Sequence, residues 1–190
     1  MLEEAQEKWA KALYQPVPAE IMPEENKPPP EPHWVQAQAL ASLDKTRLEG
    51  NGAGLVVLAT GLGKTWLAAF DTIQFGAIRV LFVAHREEIL LQALKTFRRI
   101  RPEASMGIYN GTEKVPEADV LFASIQTLAR VDHLRRFTRT AFDYIVVDEF
   151  HHAAASSYRK LIQYFQPEFL LGLTATPERT DGGDPLCQCR

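Results

Sequence analysis

Residues 55–69 read LVVLATGLGKTWLAA, and this stretch decides the fold. It opens as a continuous apolar run with two valines, the pattern of a strand buried on both faces. It then passes through Thr60-Gly61-Leu62-Gly63-Lys64-Thr65 and turns apolar again at helical spacing. A glycine-rich turn between a buried strand and a helix is the setting of a P-loop. Gly61 and Gly63 let the backbone curl so that successive N–H groups face phosphate oxygens, and the helix N-terminus adds partial positive charge. Lys64 can then reach the β and γ phosphates of a nucleotide, and the Thr65 hydroxyl can ligate Mg²⁺. The general pattern G-x-x-x-x-G-K-[ST] places a glycine where this chain has Leu58.

Outward from this segment the chain alternates helix and strand. Apolar runs at 80–84 (VLFVA), 120–123 (VLFA), 144–147 (YIVV) and 169–173 (FLLGL) predict further buried strands, with a short one at 106–109 before Asn110-Gly111. Helical patterns occupy 64–75, 87–100 (Leu90, Ala93, Leu94, Phe97) and 153–165 (Ala154, Tyr158, Leu161, Ile162, Phe165). Residues 35–49 predict another helix, with Ala37, Leu40, Leu43 and Leu48 marking its apolar face, ended by GNGAG at 50–54. Such alternation predicts an α/β domain with a mainly parallel sheet covered on both sides.

The domain spans 33–180. Residues 1–32 hold seven of the twelve prolines and seven acids against three bases, which predicts a proline-rich acidic linker, with one short helix possible at 3–14. Residues 181–190 predict a tail carrying Cys187 and Cys189, the chain's two cysteines, so no disulfide framework is expected. The 46% hydrophobic and 24% charged fractions are those of a globular protein. No run approaches about 18 apolar residues, and the N-terminal segment lacks an apolar signal core, which predicts a cytoplasmic protein. The net charge of −3 excludes nucleic-acid binding by overall charge, so any such contact must be local.

The run 144–147 leads directly into Asp148-Glu149-Phe150-His151-His152. Two adjacent acids at the carboxyl end of a buried strand lie where open α/β sheets bind ligands. Unpaired carboxylates there call for a cation. Asp148 is therefore expected to hold Mg²⁺, and Glu149 to orient and deprotonate the water that attacks the γ-phosphate. The paired histidines have no supporting Cys or His motif, so a role in coupling or hydrogen bonding is expected rather than zinc. Thr174-Ala175-Thr176-Pro177 makes a polar turn at the same sheet edge, placed to hydrogen-bond the acidic motif.

As a set these residues resemble the first RecA-like domain of superfamily 2 DExH/DEAD-like helicases, in the branch that includes bacterial restriction motor subunits. ATGLGKT resembles motif I, VDEFHH motif II and LTATP motif III, while FVAHREEILLQA (82–93) and ASIQTLAR (123–130) are similar to motifs Ia and Ib. HWVQAQAL (33–40) resembles the glutamine motif, with His33 and Val35 where an arginine and an aromatic are usual. The resemblance implies that Gln36 contacts adenine beside Thr60, Gly61, Leu62, Gly63, Lys64 and Thr65. It implies catalysis by Glu149, Lys64 and Asp148, and coupling through His151, Thr174 and Thr176. It also implies that His85, Arg86, Ser124, Gln126 and Thr127 touch a phosphate backbone, DNA before RNA. ATP and Mg²⁺ are the implied cofactors, and a second RecA-like domain the implied partner. Two other readings compete. One is a nucleotide-dependent nucleic-acid-binding module without turnover; the other, a P-loop small-molecule kinase, leaves motifs Ia, Ib and III without a purpose.

Overall fold

A computed structural model describes residues 30–152 and 155–175, with the side chain of His152 excepted. The expectations for residues 1–29, for the His152 side chain, for Thr176 and for the 181–190 tail lie outside the described residues.

The elements, numbered in chain order, begin with helix α1 (Trp34–Leu48), strand β1 (Ala53–Val57), α2 (Lys64–Phe75) and β2 (Val80–Ala84). There follow α3 (Glu87–Ile100), β3 (Met106–Tyr109), β4 (Val120–Ser124) and two one-turn helices, α4 (Ile125–Leu128) and α5 (Val131–Leu134). The last are β5 (Tyr144–Val147), a 3₁₀ turn (Phe150–His152), α6 (Ser156–Tyr164) and β6 (Phe169–Thr174). All six strands run parallel in one sheet ordered β1-β6-β5-β2-β4-β3. Helices lie on both faces. One core packs Leu40, Leu43, Leu67, Leu90 and Phe97 against Val80, Phe82 and Phe122. The other packs Leu128, Leu134, Tyr158 and Leu161 against Leu81, Leu121, Ile145 and Val147.

Strands β2, β4, β5 and β6 are buried at every position, as continuous apolar runs require. The expectation of burial on both faces fails at β1, which begins two residues earlier than the run 55–59. Here Gly54 and Val56 face the core, while Leu55 and Val57 stay 45% and 43% exposed. The cause is position: β1 is an edge strand, helix-covered on one side only. The apolar face assigned to α1 is also corrected. Leu40 and Leu43 are buried, but Leu48 is 88% exposed and Ala37 faces solvent. Polar Gln36 and Arg47 complete the inner face instead, because each has a partner on α2 or the loop before it.

Arg47, from the last turn of α1, forms a bidentate pair with Asp71 of α2 at 2.8 and 2.9 Å. Asp71 has no exposed surface and also accepts the Tyr144 hydroxyl from the start of β5. The guanidinium lies over the Phe169 ring at 5.0 Å. This anchor sits at the amino ends of the strands and fixes α1 and α2 together. The site lies at the other end.

Candidate nucleotide site

Parallel pairing brings the carboxyl ends of β1, β6, β5, β2 and β4 to one edge. Val57 pairs with Thr174, Val147 with Gly172, Val83 with Val147, and Ala84 with Ser124. Main-chain bonds carry this register past the strands, from Leu58 N–H to the Thr174 carbonyl (3.0 Å) and from Asp148 N–H to the Val83 carbonyl (2.9 Å). The residues expected at motifs I, II, III, Ia and Ib therefore share an edge.

Residues 58–63 arch from β1 into α2. Gly61 and Gly63 take φ +88° and +75°, the left-handed region a side chain rarely enters. At Gly63 a Cβ would also displace the Gln36 amide, so the backbone sign requires glycine there and the close approach ties the position to Gln36. Thr60, Gly61 and Leu62 face solvent, and Gly63, Lys64 and Thr65 are half-buried. The Lys64 ammonium folds back onto the Leu58 carbonyl at 3.2 Å, holding its charge in the loop mouth.

Gln36 is buried against the loop. Its Nε2 donates to the Leu62 and Gly63 carbonyls at 3.3 and 3.2 Å, while its Oε1 accepts the His33 N–H at 2.8 Å. The last of these contacts also caps α1. The residue expected at adenine is thus a strut under the loop in this structure.

Asp148 follows β5 and is buried, with its Oδ1 accepting the Glu149 N–H at 2.9 Å. Burial raises its carboxyl above the ordinary aspartate value, with the Glu149 charge adding to the rise, while Lys64 and His85 act in the opposite sense. Lys64 and Asp148, far apart in sequence, follow the carboxyl ends of β1 and β5, which flank β6 in the sheet. Among the described residues no group of three or more His, Cys, Asp or Glu side chains could cage a metal. Thr65 and Asp148 carry oxygen donors, the atoms that Mg²⁺ takes beside waters and substrate phosphates.

Glu149 has φ +52°, the left-handed region that residues other than glycine seldom enter. Its Oε2 lies between two imidazoles, 3.8 Å from His85 Nδ1 and 3.8 Å from His151 Nε2. His151 Nδ1 reaches the Thr174 hydroxyl at 3.3 Å, a side-chain link from the turn after β5 to the end of β6. On the other flank, Gln126 Nε2 donates to the His85 carbonyl and Ser124 Oγ to Gln126 Oε1, both at 2.8 Å. Ser124 is buried, Gln126 and Arg86 are exposed, and Thr127 is half-buried. The residues expected at a phosphate backbone are thus only partly outward-facing. His85 turns its ring towards Glu149.

Tyr158 escapes a reading of the sequence, where it is one member of an apolar stripe. Its hydroxyl is pushed up to about 12, first by burial and then by the charges of Asp148 and Glu149. No pattern in the chain distinguishes it from Leu161, its neighbour in that stripe.

A parallel α/β sheet with a glycine loop entering a helix, and an acid pair at the same edge, defines a RecA-like P-loop domain of the superfamily 2 helicase type. The chain belongs to the family described as Type III restriction enzyme, res subunit, which it matches over residues 30–179. It is 33% identical over 143 residues to the putative ATP-dependent helicase IRC3 of Saccharomyces cerevisiae, covering 66% of this chain and 20% of that protein. It is 29% identical over 133 residues to the DNA 3'-5' translocase XPB2 of Sulfurisphaera tokodaii, covering 70% of this chain and 29% of that one. The Pyrococcus furiosus Hef helicase domain superposes with TM-score 0.61 at 26% identity, over 79% of this chain and 34% of that structure. The chain thus spans between 20% and 34% of the length of these relatives. Among the described residues no helix is long and apolar enough to cross a membrane.

Proposed function

We propose that residues 33–180 are the ATP-binding half of a nucleic-acid-dependent ATPase. Joined to a second RecA-like domain, it would hydrolyse ATP to drive movement on DNA in the cytoplasm. Residues 1–32 then serve as a linker and 181–190 as a tail. The observation that supports this reading most is the arrival of the loop before Lys64 and of the Asp148-Glu149 pair at the same carboxyl edge, where β1, β6 and β5 are neighbours in parallel register.

The loop N–H groups of residues 61–65 and the N-terminus of α2 bind the phosphates, and Lys64 moves from the Leu58 carbonyl to the β and γ oxygens. Thr65 and Asp148 would hold Mg²⁺, which when bound would neutralise charge on the transferring phosphoryl group. Glu149 orients the attacking water and accepts its proton. His151 and Thr174 tie the position of Glu149 to β6, and Arg86 with the 124–127 turn contacts the DNA backbone.

A small-molecule kinase gives no purpose to the links from Ser124 through Gln126 to His85, and family membership disfavours it. A binding module without turnover is separated by Glu149→Gln. In the protein carrying both motor domains this substitution is expected to leave ATP affinity within about threefold while hydrolysis falls at least about 10²-fold, the scale of a lost general base. Wild-type turnover in that variant would remove Glu149 from the role.

A further inference from the structure

Tyr158 sits in the first turn of α6 with only 3% of its surface exposed, and among the described residues its hydroxyl has no hydrogen-bond partner. A buried hydroxyl left unpaired opposes folding, whereas a phenylalanine of nearly the same shape would not. Such a group calls for a use. Its surroundings supply one. A helix that links two parallel strands runs opposite to them, so α6 starts level with the carboxyl edge, close behind the turn that carries the acid pair. Successive strand residues enter opposite faces of the sheet. Phe82 and Val146 enter the core of α2 and α3, while Val83 and Val147 enter the core that holds Tyr158. Two residues further on, His85 and Glu149 top that second face, and their side chains meet there, Nδ1 to Oε2, at 3.8 Å. Phe150, the residue after Glu149, packs in the same core as Tyr158. The phenol and the Glu149 side chain therefore belong to one face of the sheet at one edge. The charges of Asp148 and Glu149 are also those that act on the hydroxyl.

We propose that Tyr158 is a positioning residue, which donates its hydroxyl to the Glu149 carboxylate when the site closes on nucleotide and so aims the base at the attacking water. This rests on the functional reading above. Catalytic hydrogen bonds are often long in a ligand-free site and tighten only in the complex with substrate. A carboxylate accepts at two oxygens with about four lone-pair sites, so the phenol adds to the His85 and His151 contacts and displaces neither. The Tyr158 ring is held by the core around it, which gives the donor a fixed direction.

Tyr158→Phe keeps the ring and removes the donor. In the ligand-free 190-residue chain we expect its Tm to stay within about 1 °C of wild type or to rise. A fall of about 2–4 °C or more would show a hydroxyl already paired within the fold, and would overturn the proposal whatever the fate of the functional reading. In the protein carrying both motor domains, DNA-stimulated kcat should fall about tenfold, with KM for ATP changed less than about threefold. Single-turnover hydrolysis then shows which residue the hydroxyl serves. Added to Glu149→Gln, Tyr158→Phe should cost less than about twofold more, because the base it aims is already gone. An unchanged kcat in Tyr158→Phe, or a tenfold loss that persists in the Glu149→Gln background, would overturn the role and leave the motor reading standing. A wild type that hydrolyses no ATP with DNA present would overturn the motor reading, and this inference with it.

Discussion

Asp148 carries the conflict between stability and function at the scale of one residue. Only 7% of it is exposed, its ionised form is disfavoured by burial, and Glu149 adds a second negative charge beside it. Because its folded pKa is raised, its contribution to stability is fully present below the ordinary aspartate value and is lost as pH rises through the folded value. Burial in the ligand-free chain thus works against the ionised form that a bound cation would favour. Asp148→Asn keeps the acceptor for the Glu149 N–H and removes the charge. We expect it to raise the Tm of the ligand-free chain by about 2–4 °C, the effect of about 1 kcal/mol in a chain of this size. Calorimetry with and without Mg²⁺ checks this, and a lower Tm would mean that the carboxylate is well compensated already.

The elements that hold the site are set by contacts of unequal legibility. Runs 106–109 and 144–147, and helices 64–75 and 87–100, match β3, β5, α2 and α3 because continuous or stripe burial leaves a pattern in the chain itself. The P-loop and acid pair were legible for a related reason: chemistry confines glycine, lysine and adjacent acids to few arrangements. Edge strand β1 departs from its pattern because Leu55 and Val57 look identical to core residues in the chain, and only the one-sided helix cover leaves them exposed. Helix α1 was misjudged because its inner face depends on Arg47 meeting Asp71, a pairing that no local pattern encodes. The turn of His85 towards Glu149 is hidden likewise, since motif order says nothing of ring direction. Arg47→Ala tests the anchor. It leaves the Asp71 carboxylate buried beside Tyr144, and we expect a loss of about 3–5 kcal/mol in urea unfolding, the usual effect of orphaning one partner of a buried pair. A loss below about 1 kcal/mol would show that Asp71 is neutralised or reached by water. The double substitution Arg47→Met with Asp71→Leu should recover much of the stability.

At the scale of the whole molecule, one edge of one sheet carries every described residue of the proposed site. The chain covers 20% of one curated relative and 29% of another. In the proposed motor, ATP is closed between two RecA-like domains, and the second supplies an arginine to the transferring phosphoryl group. Such a residue is worth about 10³–10⁵ in rate. The 190-residue chain alone is therefore expected to bind Mg·ATP weakly and to turn it over slowly, with no strand separation. Phosphate release compared with that of the two-domain protein tests this, and equal rates would place the whole catalytic machinery in this half.

The central claim is that Lys64 and Asp148 act on one nucleotide. A double-mutant cycle with Lys64→Ala and Asp148→Asn, read as Mg·ATP affinity by calorimetry, measures it directly. Two groups on one triphosphate and its metal predict non-additive losses, with a coupling of about 1 kcal/mol or more. Losses that simply add, or full affinity in Lys64→Ala, would contradict a shared site.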